Sequence, residues 1–146
     1  MTTPRELVDL ALEARTRAYA PYSDFAVGAA LLCADGSVYQ GCNIENAAFG
    51  PSICAERVAV FKAVSEGKRH FSGLAVAGGR AGAEITGLCP PCGVCRQVLR
   101  EFCGLDFPLY LARENGAFET HTLGELLPLS FSNAEIEGAA AAVTGA

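Results

Sequence analysis

The chain has 146 residues, 51% of them hydrophobic, which is the size and composition of one ordinary domain with a packed core and no second domain. Its net charge of −5 and the lack of any Lys/Arg run exclude the clustered positive charge that a nucleic-acid backbone demands. The longest charge-free apolar run, Ala26 to Ala34, is far too short to span a bilayer and residues 1–6 hold no apolar signal core, so a cytoplasmic protein with no membrane partner is expected.

Thr3-Pro4-Arg5-Glu6 reads as a capping box with proline at the first helical position, and Leu7, Leu10, Ala11, Ala14 and Ala18 repeat at helical spacing, predicting a helix to about Tyr19. Phe25 to Ala34 and Val38 to Asn43 flank Asp35-Gly36, the pattern of a hairpin with a tight turn. Gly28 inside the first strand suggests a close backbone approach. Residues 43–52 form a polar loop that leads into Cys54, and Cys54 to about Glu66 is expected to be helical, with Val58, Phe61 and Val64 on its apolar side and Gly67 as its stop. A short buried strand follows at Leu74 to Ala77. Gly78 to Gly87 is rich in glycine but lacks the Gly-Lys-Ser/Thr ending of a phosphate loop. Pro91 to Phe102 predicts another helix with Val94, Val98, Leu99 and Phe102 inward, and Pro108 to Ala112 with Phe118 to Thr122 flank Asn115-Gly116 as a second, antiparallel hairpin. Leu123 to Leu127 reads as a short helix, and the Ala-rich tail over 133–146 as a weak helix or a flexible end. Strands alternating with helices in this order imply an α/β fold: one mixed five-stranded sheet in a three-layer α/β/α sandwich.

Seven cysteines, an odd number in a chain with no mark of secretion, point to metal or redox chemistry instead of a disulfide framework. Cys33, Cys42 and Cys103 lie in apolar surroundings and read as buried free thiols. The remaining four cluster in Cys54-Ala55-Glu56 and Cys89-Pro90-Pro91-Cys92-Gly93-Val94-Cys95. Zinc is four-coordinate, and a catalytic site commonly keeps three protein ligands and one open position. Cys54, Cys92 and Cys95 would fill three positions, with Glu56 two residues from a ligand to handle protons. A ligand two residues before Glu, followed by Pro-Cys-x-x-Cys, resembles the signature of zinc-dependent nucleobase deaminases. Three thiolates leave such a site negative, so positive charge is needed beside it; two helix N-termini, Arg57 and Arg96 are the candidates. Two other readings stay open: a closed structural site with Cys89 as fourth ligand, and a redox dithiol. Neither explains Glu56. His70 and His121 lie outside these motifs, which leaves no histidine for a nucleophilic triad.

With Ala20-Pro21-Tyr22-Ser23, Phe25-Ala26-Val27-Gly28-Ala29, Gly41-Cys42-Asn43-Ile44-Glu45-Asn46, Cys54-Ala55-Glu56-Arg57, Pro91-Cys92-Gly93-Val94-Cys95-Arg96-Gln97 and Leu126-Leu127-Pro128 taken together, the chain closely resembles the small cytidine deaminases of pyrimidine salvage. The resemblance implies one zinc per subunit on Cys54, Cys92 and Cys95, with Glu56 as acid-base residue for hydrolytic deamination of cytidine and 2′-deoxycytidine. It implies that Phe25 packs on the pyrimidine, that Asn43 and Glu45 bond the ribose hydroxyls, and that Ala55 gives a backbone contact to the base. It also implies a homotetramer with shared active sites, in which Phe49 and Phe131 stand near the site. Phe49 occupies a position where tyrosine is frequent in that family, and Cys89-Pro90 one where Ser or Thr before proline is more usual.

Overall fold

The computed structural model describes residues 1–137. Thr3 caps the first helix, α1 (Pro4–Arg15): its side chain accepts from the Glu6 amide while Glu6 reaches back to the Thr3 amide, the reciprocal bonding the sequence implied. The helix ends at Arg15, short of Tyr19. There the Thr16 hydroxyl donates to the Glu13 carbonyl and the chain turns away, freeing Tyr19 to bridge Ile44.

Strands β1 (Phe25–Cys33) and β2 (Val38–Cys42) form the first hairpin, whose turn puts Gly36 at φ 91. Helix α2 (Ala55–Ser65) follows, with Gly67 at φ 90 just beyond its end. Strand β3 (Phe71–Arg80) is longer than its apolar run suggested, because β1 pairs with it along the whole length from Phe25↔Arg80 to Cys33↔Phe71 and draws Gly78 and Gly79 into the ladder. Helix α3 (Gly93–Phe102), strands β4 (Pro108–Ala112) and β5 (Phe118–Thr122) and the short α4 (Leu123–Leu126) complete the order. Asn115 and Gly116 both take left-handed backbone angles in the β4–β5 turn, the conformation that Asn-Gly suits. Residues 133–137 are helical, and the rest of the Ala-rich tail lies outside the described residues.

The five strands form one sheet in the order β2-β1-β3-β4-β5; β3 and β4 are parallel and the other neighbours antiparallel. Side chains alternate across it. Ala29, Leu31, Leu74, Val76, Leu109 and Leu111 face α2 and α3, whereas Ala30, Leu32, Ala75, Ala77 and Ala112 face α1. Helix, sheet and helix are therefore three layers, as expected. Gly28 is where α1 comes closest: a Cβ there would stand 2.0 Å from the Ala11 carbonyl oxygen. On the other face, a Cβ on Gly41 would stand 2.3 Å from the Ala55 carbonyl, so the first turn of α2 rests on β2.

That close seat explains two departures from the expected helix faces. The buried residues of α2 are Ala55, Glu56, Ala59, Val60 and Ala63, a mostly small-residue stripe suited to tight packing, and Phe61 is left exposed. In α3 the buried positions are Cys95 and Leu99, with Val98 and Phe102 packed beside them, while Val94 is exposed because Cys95 takes the inward place in the first turn.

Candidate metal centre and active site

The openings of α2 and α3 converge on one point. Cys54 is the N-cap of α2 and Cys92 the N-cap of α3; both have extended backbone, and neither side chain caps its own helix. Their sulfurs stay free for another partner. Cys95, one turn into α3, completes a group whose three sulfurs all lie within 4.8 Å of one another. The Cys54–Cys92 sulfur separation is 3.8 Å and the Cys92–Cys95 separation 3.5 Å. Tetrahedral zinc with Zn–S bonds of about 2.3 Å holds its sulfurs about 3.8 Å apart, so this donor set fits zinc with little movement. Three soft thiolates in that geometry select zinc over hard cations. Cys89 is not part of the group. Its side chain sits over Gly78 instead, so the four-sulfur closed site is not formed among the described residues.

The electrostatics ready Cys54 in particular for a metal. Cys95 donates toward Cys54, and with Arg57 also donating, the Cys54 thiol is drawn down to about 5. The same hydrogen bond holds the Cys95 proton and pushes that thiol upward. Arg57 Nη2 lies 3.4 Å from Cys54 Sγ, and the bond raises the guanidinium pKa in turn. Arg57 Nε is buried with no partner among the described residues. Arg96 does not share this role: its Nε donates to the Pro91 carbonyl at 2.7 Å and its Nη1 to the Leu126 carbonyl, so it ties α3 to α4.

Glu56 is 4% exposed on the inner side of α2. Burial, assisted by the negative Cys54 nearby, lifts its carboxyl from 4.5 to about 7. A group that holds and releases its proton near neutral pH suits acid-base work. It faces a cleft of about 270 Å³ lined also by Val27, Asn43, Glu45, Cys54, Ala55 and Cys89, and bordered by Ser52, Ile53, Pro90 and Cys92. The larger hollow, about 800 Å³ near Arg15 and Arg113, contains none of the sulfurs, and both arginines are committed to carbonyl or carboxylate oxygens.

Asn43 and Glu45 therefore meet Glu56 and two of the sulfurs in one cleft, and both already brace it. Asn43 Oδ1 accepts from the Val27 amide and Nδ2 donates to the Phe25 carbonyl, each at 2.8 Å. Glu45 accepts from the Tyr22 and Ser23 amides at 2.9 and 3.1 Å and from the Ser23 hydroxyl, and that hydroxyl bond holds its carboxyl below the ordinary value. Within one chain, the three aromatic candidates do not line the cleft. Phe25 lies at its margin, where its ring and Cys89 meet over Gly78. Phe49, 75% exposed, lines a neighbouring depression with Tyr22, Glu45 and Ser52, and Phe131 is exposed beyond α3, its carbonyl accepting from Gln97. In the sequence, Cys89 reads only as a rival metal ligand or half of a redox dithiol. Its place beside Cys54 and Glu56 in the cleft wall has no sequence signal beyond its nearness to Cys92.

Residues 1–108 match the family described as "Cytidine and deoxycytidylate deaminase zinc-binding region". The chain is 49% identical over 135 residues to a cytidine deaminase of Sporosarcina psychrophila, covering 92% of this chain and 96% of that protein. A cytidine deaminase of Halalkalibacterium halodurans is 49% identical over 126 residues, covering 86% and 92%. The crystal structure of the cytidine deaminase from Burkholderia pseudomallei superposes with a TM-score of 0.80 at 44% identity, covering 88% of this chain and 99% of that one. Sequence, fold and the three-sulfur centre thus agree, and the chain belongs to the zinc-binding cytidine and deoxycytidylate deaminase family.

Proposed function

We propose that this chain, as a single domain, catalyses hydrolytic deamination of cytidine and 2′-deoxycytidine to uridine and 2′-deoxyuridine with release of ammonia. The observation that carries the reading is the buried carboxyl of Glu56, poised near neutral, in the same cleft as Cys54 and Cys92 of the three-sulfur group. Cys54, Cys92 and Cys95 would hold zinc, which when bound would supply a Lewis acid beside the attacking water. Glu56 takes a proton from the attacking water and delivers it to the ring nitrogen N3, then takes the proton of the new C4 hydroxyl and delivers it to the departing amine; the C4–O bond forms, the C4–N bond breaks, and both water protons are accounted for. Arg57, bonded to Cys54, and the two helix N-termini offset the negative charge of the thiolates.

The substrate is held by groups with capacity to spare. The Asn43 amide retains one N–H and one lone pair beyond its bonds to β1, and Glu45 retains one acceptor lone pair, on Oε2, so both can bond the ribose hydroxyls. The Ala55 N–H, a first-turn donor that α2 itself leaves free, contacts the base. Phe25 supplies an apolar face for the pyrimidine. The active form is a homotetramer with shared sites; its support is the exposure of Phe49 and Phe131, large aromatic side chains left 75% and 60% exposed within their own chain. The enzyme works in the cytoplasm, in pyrimidine salvage. Seven free cysteines suit a reducing compartment, and no helix among the described residues is long and apolar enough to cross a membrane.

The test is the ultraviolet change when zinc-loaded protein meets cytidine or 2′-deoxycytidine. Conversion that disappears in Glu56→Gln while zinc is retained supports the reading. A zinc-loaded wild-type chain that leaves both nucleosides unchanged refutes it.

A further inference from the structure

Cys89 is the one cysteine of its cluster that the metal chemistry does not use, and it is placed where its size matters. Its Sγ and Cβ lie 2.5 and 2.7 Å from the point a Cβ on Gly78 would occupy, and the Phe25 ring lies 3.2 Å from that same point. Only a glycine at 78 leaves room for the sulfur. Cys89 therefore sits directly on the sheet at Gly78 beside the edge of the Phe25 ring, and it also lines the cleft that holds Asn43, Ala55 and Glu56.

The wall it forms is stiff. Cys89 precedes Pro90, which confines its backbone to extended conformations, and Pro90 and Pro91 have fixed φ. The Pro91 carbonyl is tied to Arg96 at 2.7 Å, and Pro91 itself is among the fully buried side chains. The segment cannot swing out to admit a wider ring, nor can the sulfur sink further toward Gly78. Any change in side-chain volume at 89 is passed directly to the cleft.

We infer that Cys89 is a specificity-determining residue: its side chain limits the substituents that the pyrimidine ring of the nucleoside can carry. The inference rests on the proposed function, and its test separates the two. The ratio of kcat/KM for 5-methylcytidine to that for cytidine is measured in wild type, Cys89→Ala, Cys89→Ser and Cys89→Leu, with zinc content determined for each. A ratio between two substrates is indifferent to the fraction of active protein and to a general loss of stability. One methylene in an apolar pocket changes such ratios by about 10–200-fold. Cys89→Ala is expected to raise the ratio at least about tenfold, Cys89→Leu to lower it, and the near-isosteric Cys89→Ser to leave it close to wild type. An unchanged ratio in both the Ala and Leu variants, with cytidine still turned over, overturns the inference and leaves the function standing. Loss of zinc in Cys89→Ala also overturns it, by returning Cys89 to the metal site. A wild-type chain inactive on both nucleosides overturns the functional reading and this inference together.

Discussion

Glu56→Gln separates what this carboxylate does for chemistry from what it costs the fold. The group is 4% exposed and burial raises its pKa from 4.5 to about 7, so between those values the folded chain binds more protons at this site than the unfolded chain does. Stability therefore falls as pH rises through this window. At about 1.4 kcal/mol per pH unit the loss amounts to roughly 3 kcal/mol, complete above about pH 7. The amide of the variant cannot ionise and escapes it. The assay is urea unfolding of wild type and Glu56→Gln, both freed of zinc by chelator, from about pH 4.5 to about pH 8. Any fixed effect of the amide is the same at every pH, and the depressed Cys54 thiol gives an opposite trend in both chains that the difference largely removes. The difference in unfolding free energy should grow in favour of the variant by roughly 3 kcal/mol across the window, while the variant is expected to lose turnover. Parallel curves would refute the argument that Glu56 is buried at a cost in the service of proton transfer.

Three further outcomes follow from named contacts. Cys92→Ala removes one of three sulfurs, so zinc stoichiometry should fall well below one per chain and the melting temperature should no longer respond to chelator; full zinc retention would show that the ligand set is wrong. Gly28→Ala drives a Cβ to 2.0 Å from the Ala11 carbonyl and 2.4 Å from the Arg15 nitrogen, and because both are backbone atoms the cost should reach or exceed the ~1–3 kcal/mol of ordinary overpacking. A Gly28→Ala chain with the wild-type urea midpoint would mean that α1 is not seated on β1 as described. Arg57→Gln removes a donor that lowers the Cys54 pKa, so protons compete better with the metal and the pH at which half the zinc is lost in dialysis should move upward; an unmoved midpoint would leave Arg57 with no role in tuning the site.

The chemistry was legible in the sequence because its parts are short and local. Cys54-x-Glu56 and Cys92-x-x-Cys95 each fit within a turn of helix, and the fold only had to bring two helix openings together. The hairpins were legible for the same reason, since Gly36 and Asn115-Gly116 announce backbone conformations that few residues adopt. What stayed hidden is set by neighbours distant in the chain. Gly78-Gly79-Arg80 reads as loop until β1 pairs along it, and Phe61 reads as core until Gly41 draws a small-residue stripe of α2 inward. Cys89 is the sharpest case: its spacing to Cys92 resembles a ligand pair, and only the room left by Gly78 turns the sulfur toward the sheet.

The residues read as ribose contacts show how the fold prepares the site before any substrate arrives. Asn43 bonds the carbonyl of Phe25 and the amide of Val27, gripping β1 on either side of Ala26. Glu45 holds the Ser23 hydroxyl, and that hydroxyl accepts from the Phe25 amide at 3.0 Å. Both proposed ribose contacts thus converge on the backbone of Phe25, the aromatic proposed to face the base. On that proposal sugar recognition and ring placement are mechanically one unit, anchored to the strand whose Gly28 lets α1 close against it. A site in which the same polar groups orient the substrate and rigidify its apolar support does not have to order them at the moment of binding, and that preorganisation is where a cleft of only about 270 Å³ gains its precision.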